Sequence, residues 1–209
     1  YRPFQAGNIL TQANAKLTEE RLWGFEGGVD FHPRPDLLIR LNSFWNRLED
    51  PVSNVTVSVS PELILRQRRN LGSGTIKGGE AELIHRLTSR WSLRASYLFS
   101  QAVVDETGLL FPQVPHHQGV VGLEYLGPVQ ILLEGRFVSR QYEDDLNQLP
   151  LAGFGVLDFQ VRRPLAEQLE IFISVENLFE REYPVGRLPI ERLGTPRLVH
   201  GGVRLLLGY

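Results

Sequence analysis

The feature that most restricts this chain is a two-residue period that returns along almost its whole length. From Trp23 to Phe31 the odd positions are Trp23, Phe25, Gly27, Val29 and Phe31, and the even ones are Gly24, Glu26, Gly28 and Asp30. Leu37, Ile39, Leu41 and Trp45 oppose Arg40, Asn42 and Asn46 in the same way. The pattern recurs around Trp91–Phe99, Val129–Phe137, Leu157–Val161, Leu169–Val175 and Val199–Tyr209. Side chains alternate across a strand, whereas a helix repeats every 3.6 residues, so the period specifies β-structure. No stretch of comparable length follows the helical period. The chain reads as all-β.

Nine strands are expected, near 21–32, 36–48, 63–87, 91–103, 117–126, 128–142, 152–163, 168–179 and 196–208. The third is long, and Leu71-Gly-Ser-Gly74 marks a bend or break within it, since glycine accommodates bulges. Tight connections at His32-Pro-Arg-Pro-Asp36, Thr88-Ser-Arg90, Gly127 and Pro164-Leu-Ala-Glu167 alternate with long ones near 49–62, 104–116, 143–151 and 180–195. Sorting of loops by length is the mark of an up-and-down outer-membrane barrel, with short periplasmic turns and long external loops. A soluble sandwich shares the alternation but has no reason to sort its loops.

Composition separates these two candidates further. The 24 acidic and 22 basic residues nearly cancel, which gives no support for nucleic-acid binding. With no cysteine there are no disulfides and no thiolate metal sites. No segment reaches the roughly 20 apolar residues of a spanning helix, and no signal-peptide pattern is read. Phe31, Trp91, Tyr125 and Tyr209 fall on apolar faces at the short-turn end, and Trp23, Trp45, Phe99 and Phe137 toward the long-loop end. Two aromatic belts are what membrane interfaces select. The opposite face of a sandwich should be rich in lysine, yet the chain has only Lys16 and Lys77. An odd number of strands would leave open edges in lipid, and the chain holds no methionine, so it is expected to be the C-terminal part of a larger barrel.

Several ordered segments carry a resemblance. They are Tyr1-Arg-Pro-Phe4 with Ala15-Lys-Leu-Thr-Glu-Glu20 and Phe25-Glu-Gly-Gly28, then Asn70-Leu-Gly72 with Gly78-Gly-Glu-Ala-Glu82. Ser139-Arg-Gln-Tyr142 with Asp144, Asp145 and Asn147 follows, then Val175-Glu-Asn-Leu-Phe-Glu-Arg-Glu-Tyr183 and Gly194-Thr-Pro-Arg197. Together they resemble the C-terminal half of the barrel of TonB-dependent outer-membrane receptors. The resemblance implies the last nine strands of a barrel of about 22. It implies a place in the outer membrane of a Gram-negative bacterium. The plug domain and the TonB-contacting box would be missing from this chain, so it would not transport alone. The function implied is uptake of a scarce nutrient, a ferric siderophore, cobalamin or similar compound, by TonB-coupled active transport. The partners implied are outer-membrane lipid, that nutrient, and TonB through the missing N-terminal part. Neither enzymatic activity nor a cofactor is implied.

Individual residues weigh against chemistry. Glu80 and Glu82 share one strand face as a catalytic carboxylate pair would, but a charge-paired lumen wall near Arg94 is the simpler account. His116-His117 lacks a third ligand at a recognisable spacing. Glu143-Asp-Asp145 lacks the regular spacing of a calcium loop and reads as solvated external loop. In a receptor of this kind, ligand contacts are expected from Arg2, Phe4, Arg136, Arg140, Tyr142, Asp144 and Asp145, because guanidinium binds carboxylates through paired hydrogen bonds. Glu80, Glu82, Arg94, Glu134, Asp158, Arg162, Glu170, Glu176 and Arg204 are expected to face the lumen and the plug. The competing function is a binding or adhesion module without transport, either a soluble β-sandwich or a barrel; in the sandwich Leu93, Leu133 and Ile171 would form a core instead of meeting lipid.

Overall fold

The computed structural model describes residues 2–205. Tyr1, Leu207 and Tyr209, the last of them assigned above to an aromatic belt, lie outside the described residues. In chain order the strands are β1 (Phe4–Ala6), β2 (Ile9–Gln12), β3 (Arg21–Arg34), β4 (Leu37–Glu49), β5 (Val52–Val59), β6 (Ile64–Asn70), β7 (Ser73–Arg86) and β8 (Trp91–Val104). They continue with β9 (His117–Leu126), β10 (Gln130–Val138), β11 (Gln141–Tyr142), β12 (Pro150–Leu151), β13 (Phe154–Ala166), β14 (Leu169–Glu176), β15 (Pro184–Gly186), β16 (Arg192–Leu193) and β17 (Leu198–Leu205). No helix occurs among the described residues.

Nine of these strands form one antiparallel sheet in the order β17-β14-β13-β10-β9-β8-β7-β4-β3. Each wall strand pairs with the next wall strand in sequence, so the sheet is an up-and-down meander of the expected number of strands. The short turns Pro35-Asp36, 87–90, 127–129 and 167–168 lie at one end, and the connections 50–72, 105–116, 139–153 and 177–197 at the other. Two turns are tighter than expected because the strands run through their prolines. Pro33 and Pro164 sit at register shifts, between Phe31 and Arg34 and between Pro164 and Ala166, where the missing N–H interrupts no regular ladder.

The third expected strand is in fact two. The β4–β7 ladder ends at Glu49 opposite Ser73, and a second ladder begins at Val52 opposite Asn70. Between them Asp50 (φ 54°) and Gly72 (φ 62°) both occupy the left-handed region, and the Asp50 N–H donates to the Gly72 carbonyl at 2.6 Å. A paired kink on both strands turns the ribbon out of the wall. Residues 49–62, expected to be loop, therefore contain β5, and the ribbon joins β1 and β2 in a four-stranded sheet ordered β1-β2-β6-β5. Its β2–β6 contact is parallel, with Ile9 opposite Ile64.

Register sorts the wall into two faces. Val29, Leu41, Ala81, Tyr97, Gly119 and Phe137 form one cross-strand row, and Leu93, Leu123, Leu133, Phe159 and Val175 another. No second layer packs on this apolar face. Phe25 is 73% exposed, and Leu41, Val121, Phe137 and Ile173 are exposed as well. A sandwich would bury these residues against a second sheet, so the sandwich alternative does not describe this chain. Aromatic rings gather at both levels: Trp91 lies 4.9 Å from Tyr125, tilted against it, at the short-turn end, and Phe25 lies 6.3 Å from Trp45 at the other. The buried residues gather at the long-loop end, where Leu151 is fully buried and Tyr183, Asn177, Asp144 and Glu143 are nearly so.

Candidate functional site

The face opposite the apolar one carries the charges. Asp30, Arg40, Glu82, Ser96, Val120 and Arg136 make one row across five ladders, and Arg94, Gly122, Glu134 and Asp158 the next. Glu80, Arg162, Glu170, Glu176 and Arg204 have the same parity, so all nine residues read from sequence as wall charges share this face. The pairing differs from expectation in one respect. Glu82 lies opposite Arg40, which binds it at 2.6 Å and holds Asp30 through two further bonds. Arg94 lines the same hollow but reaches Glu124 at 4.0 Å. The arginine of the neighbouring ladder was the partner to look for, and only the register shows it. Arg204 and Glu170 pair at 3.5 Å, and Arg162 donates twice to Gln160. Asp158 is committed to structure, since its Oδ1 accepts the Asn177 N–H at 2.7 Å. Glu80, Glu134 and Glu176 are in no ion pair or hydrogen bond among the described residues.

Above this wall the long connections are bound to one another. Asn147 exchanges two hydrogen bonds with the backbone of Leu110, and the Gln113 N–H donates to the Tyr142 carbonyl. Asp145 accepts from both the N–H and the hydroxyl of Thr56, which fastens the 139–153 connection to β5. Arg187 donates to the Pro150 carbonyl, Arg192 approaches Glu143 at 4.0 Å, and Phe154 stacks on Tyr183 at 4.1 Å. Asn177 closes the last connection: its Nδ2 donates to the Arg181 and Thr195 carbonyls and its Oδ1 accepts the Arg181 N–H. Sequence reasoning quoted Asn177 only as part of a motif. Its signal was an asparagine one residue past a strand, a residue type that tolerates the left-handed backbone found there (φ 49°).

The expected ligand contacts divide into two groups. Asp144 and Asp145 are anchors. Asp144 is 5% exposed and accepts the N–H groups of Gln148 and Leu149, and Asp145 holds β5. Glu143-Asp-Asp145 is therefore no solvated acidic loop. Burial of a carboxylate is tolerated here because backbone donors surround it. Arg2 and Phe4 are exposed on the N-terminal segment, Arg136 faces the polar side of β10, and Arg140 lies over the Tyr142 ring (5.1 Å) while donating to its hydroxyl. His116 and His117 stand beside Phe99, and Tyr97 bonds the His117 Nδ1 at 2.6 Å. No group of metal-ligating side chains occurs among the described residues.

Residues 1–178 match the family described as TonB dependent receptor-like, beta-barrel. The chain belongs to that family. TonB-dependent receptors are outer-membrane proteins, and the apolar face of this TonB-dependent receptor barrel wall is its lipid-facing surface. No curated protein sequence matches the chain. Solved structures share its fold: "Copper transporter OprC" (TM-score 0.76, 18% identity, 91% of this chain and 32% of that one) is one. The ferric yersiniabactin uptake receptor FyuA from Yersinia pestis (TM-score 0.75, 19% identity, 89% and 30%) is another. The receptor chain described here thus spans about a third of the length of these relatives. The family consists of receptors and transporters, not enzymes.

At the long-loop end the surroundings of one carboxylate favour its charged form. The Ser73 and Thr75 hydroxyls donate to Asp105 and hold its carboxyl below the ordinary carboxylate value, with a smaller contribution from Arg47. A depressed folded-state pKa stabilises above the unfolded value, and that contribution is lost as pH falls through the folded one. The 105–107 turn should therefore loosen selectively in acid. Hydrogen exchange of residues 103–108 should rise below about pH 4, and Asp105→Asn should reduce that dependence, the rest coming from Glu106, which accepts the Ser73 N–H; equal acid sensitivity in the variant would refute the assignment.

Proposed function

We propose that this chain forms wall and external mouth of a receptor that imports a scarce, chelated nutrient across the outer membrane in a TonB-coupled cycle. The observation that carries this reading is the cross-bonded cap standing over a charged wall. Loops tied by Asn147, Asp145 and Asn177 hold Arg140 and Tyr142 in a fixed pair, with Arg136 below them on the polar face. An arginine stacked on a tyrosine suits a planar, anionic chelate, since guanidinium supplies bidentate donors and the ring an apolar face. Similarity to an iron-chelate uptake receptor and a copper transporter supports the nutrient class. Arg2 and Phe4 extend the same mouth, whereas Asp144 and Asp145 act through the loops they position.

The polar face lines the lumen. Glu80, Arg94, Glu134, Arg162, Glu176 and Arg204 would meet a plug domain through water and ion pairs, which lets the plug move without tearing an apolar core. Arg40 with Asp30 and Glu82 stiffens the wall itself. No bond is made or broken in this cycle; the work is binding and gated passage.

The test is uptake in the native host. Deleting the gene should abolish accumulation of one ferric chelate, or of copper, under starvation, and the intact gene should restore it. Arg140→Ala should weaken binding of that ligand by about tenfold or more, the value of a charge-assisted hydrogen bond, with the folded receptor still present in outer-membrane fractions. Unchanged uptake of ferric chelates, cobalamin and copper in the deletion strain would end the transport reading.

A further inference from the structure

The short-turn end holds positive charge that the mouth does not use. Between the turns 35–36 and 87–90 and the end of β9 lies an open-sided hollow of about 340 Å³, lined by Arg86, Arg90 and Arg94. Arg86 and Arg94 share the parity of the polar wall, and Arg90 stands in the turn between them. Two carboxylates line the hollow as well, and both are engaged. Asp36 is held by Arg34 at 3.5 Å and by His85 at 3.2 Å. Glu124 accepts the Ser92 hydroxyl at 3.1 Å and has Arg94 4.0 Å away. The guanidinium groups of Arg86 and Arg90 are exposed and are in no ion pair or hydrogen bond among the described residues.

The backbone that carries these arginines is fixed. The Thr88 hydroxyl accepts the N–H groups of Arg90 (3.1 Å) and Trp91 (3.0 Å). The Leu126 N–H donates to the Arg90 carbonyl (2.7 Å), and the Arg86 N–H to the Asp36 carbonyl (2.8 Å), so neighbouring turns are tied together. Like charges gathered in one hollow repel each other, and a cleft focuses their field, so the arrangement attracts an anion. Guanidinium offers carboxylates and phosphates paired donors. Leu38, Trp91 and Leu126 add apolar lining, and the volume exceeds what a lone inorganic oxyanion needs. A compact organic anion with several carboxylates matches both the charge and the lining.

The short turns lie on the periplasmic side. On β10, Arg136 is followed toward that side by the unpaired Glu134, and on β7 the unpaired Glu80 lies between the mouth and Arg86. We propose that Arg86 and Arg90, with Arg94 beside them, form an exit-side binding site for a compact polycarboxylate, the carboxylate-bearing part of the chelate that the receptor imports. This inference rests on the import reading given above. The carboxylate band separates two arginine sites, so an anion that has passed it is held at the far end and repelled from the way back.

The test uses the full-length receptor extracted from outer membranes in detergent, with folding checked by the gel shift on boiling. Calorimetric titration takes citrate as the probe, with acetate, inorganic phosphate and hexaglutamate as comparisons. Citrate should bind at least about tenfold tighter than any of the three. Arg86→Gln with Arg90→Gln should lower its affinity about a hundredfold, as expected for two charge-assisted donors. The same loss should appear in the Arg140→Ala background, which separates this site from the mouth. Arg163→Gln, an exposed cation on the apolar face at the same end, should leave the affinity unchanged. Equal affinity in the folded double variant, or an equal loss with Arg163→Gln, would overturn the site. Tighter binding of phosphate would make it an inorganic anion site, and tighter binding of hexaglutamate a dock for an acidic protein segment; either result overturns the proposal. Should the double variant fail to fold, Arg90→Gln alone, in an exposed turn, carries the test with about a tenfold loss. Unchanged nutrient uptake on gene deletion, with citrate still held by Arg86 and Arg90, would end the import reading and leave an anion site. Abolished uptake with no citrate bound at Arg86 and Arg90 would end the exit site alone.

Discussion

Replacing Val121 by arginine should destabilise the folded wall by about 2–4 kcal/mol, the cost of a cation at the midplane of a transmembrane barrel. Val121 is 48% exposed on the lipid face, flanked by Ala95 and Gly135, halfway along β9 between the Tyr125 belt and the Phe99–His117 cluster. Neither small neighbour gives the guanidinium a polar contact, and from the midplane snorkelling reaches neither headgroup layer at low cost. The same arginine at Ile171, close to the 167–168 turn, should cost about 0–1 kcal/mol for its depth and up to about 1 kcal/mol more from the like charge of Arg163 opposite it. Urea titration of folding into lipid vesicles measures both. Similar costs at the two depths would mean that this face is not immersed in a bilayer. A greater cost at Ile171 would place the hydrocarbon centre at the wrong height.

The second large effect is expected from Asn177→Ala. The side chain makes three hydrogen bonds within the 177–197 connection and is 3% exposed. Truncation strands two carbonyls and one N–H in a buried turn, and each orphaned group costs about 1–3 kcal/mol. The alanine also inherits a left-handed backbone that asparagine tolerates better. A local loss of about 3 kcal/mol or more is expected, confined to the cap because the wall ladders do not depend on it. Limited proteolysis should cut residues 178–197 rapidly while β13, β14 and β17 remain intact. Protection of the connection equal to that of the native chain would show that Phe154 stacked on Tyr183 holds it without the asparagine.

What could be read from sequence followed from the two-residue period. Each wall strand sends alternate side chains to opposite faces over 8 to 14 positions, so the pattern is local and strong. Strand number, direction and the polar parity of Glu80 through Arg204 were all legible for that reason. The separate β5–β6 ribbon was not: Val55, Val57 and Val59 do alternate with Thr56 and Ser58, but the stretch is short, and its pairing with β6 depends on the kink at Asp50 and Gly72. The parallel contact of β2 with β6 joins residues more than 50 apart and leaves no local trace. At the mouth, sequence displays charge but not which backbone donors stand beside it. That is why the bonds of Asp144 to Gln148 and Leu149, and of Asp145 to Thr56, had no sign in the sequence. Arg40 was passed over because its value lies in standing between Asp30 and Glu82, a fact of register.

The paired kink at Asp50 and Gly72 has a consequence for how such chains diversify. A one-residue insertion inside β4 or β7 would invert every side chain beyond it, putting Arg40 or Glu82 into hydrocarbon. Beyond the kink the ribbon is released from the bilayer's two-sided demand, and its ladder already absorbs a register shift between Thr56 and Ser58. Length changes there alter the reach and chemistry of the projecting tip while the immersed ladder keeps its phase. Descendants of this chain can therefore exchange the projecting hairpin and still insert into the same membrane.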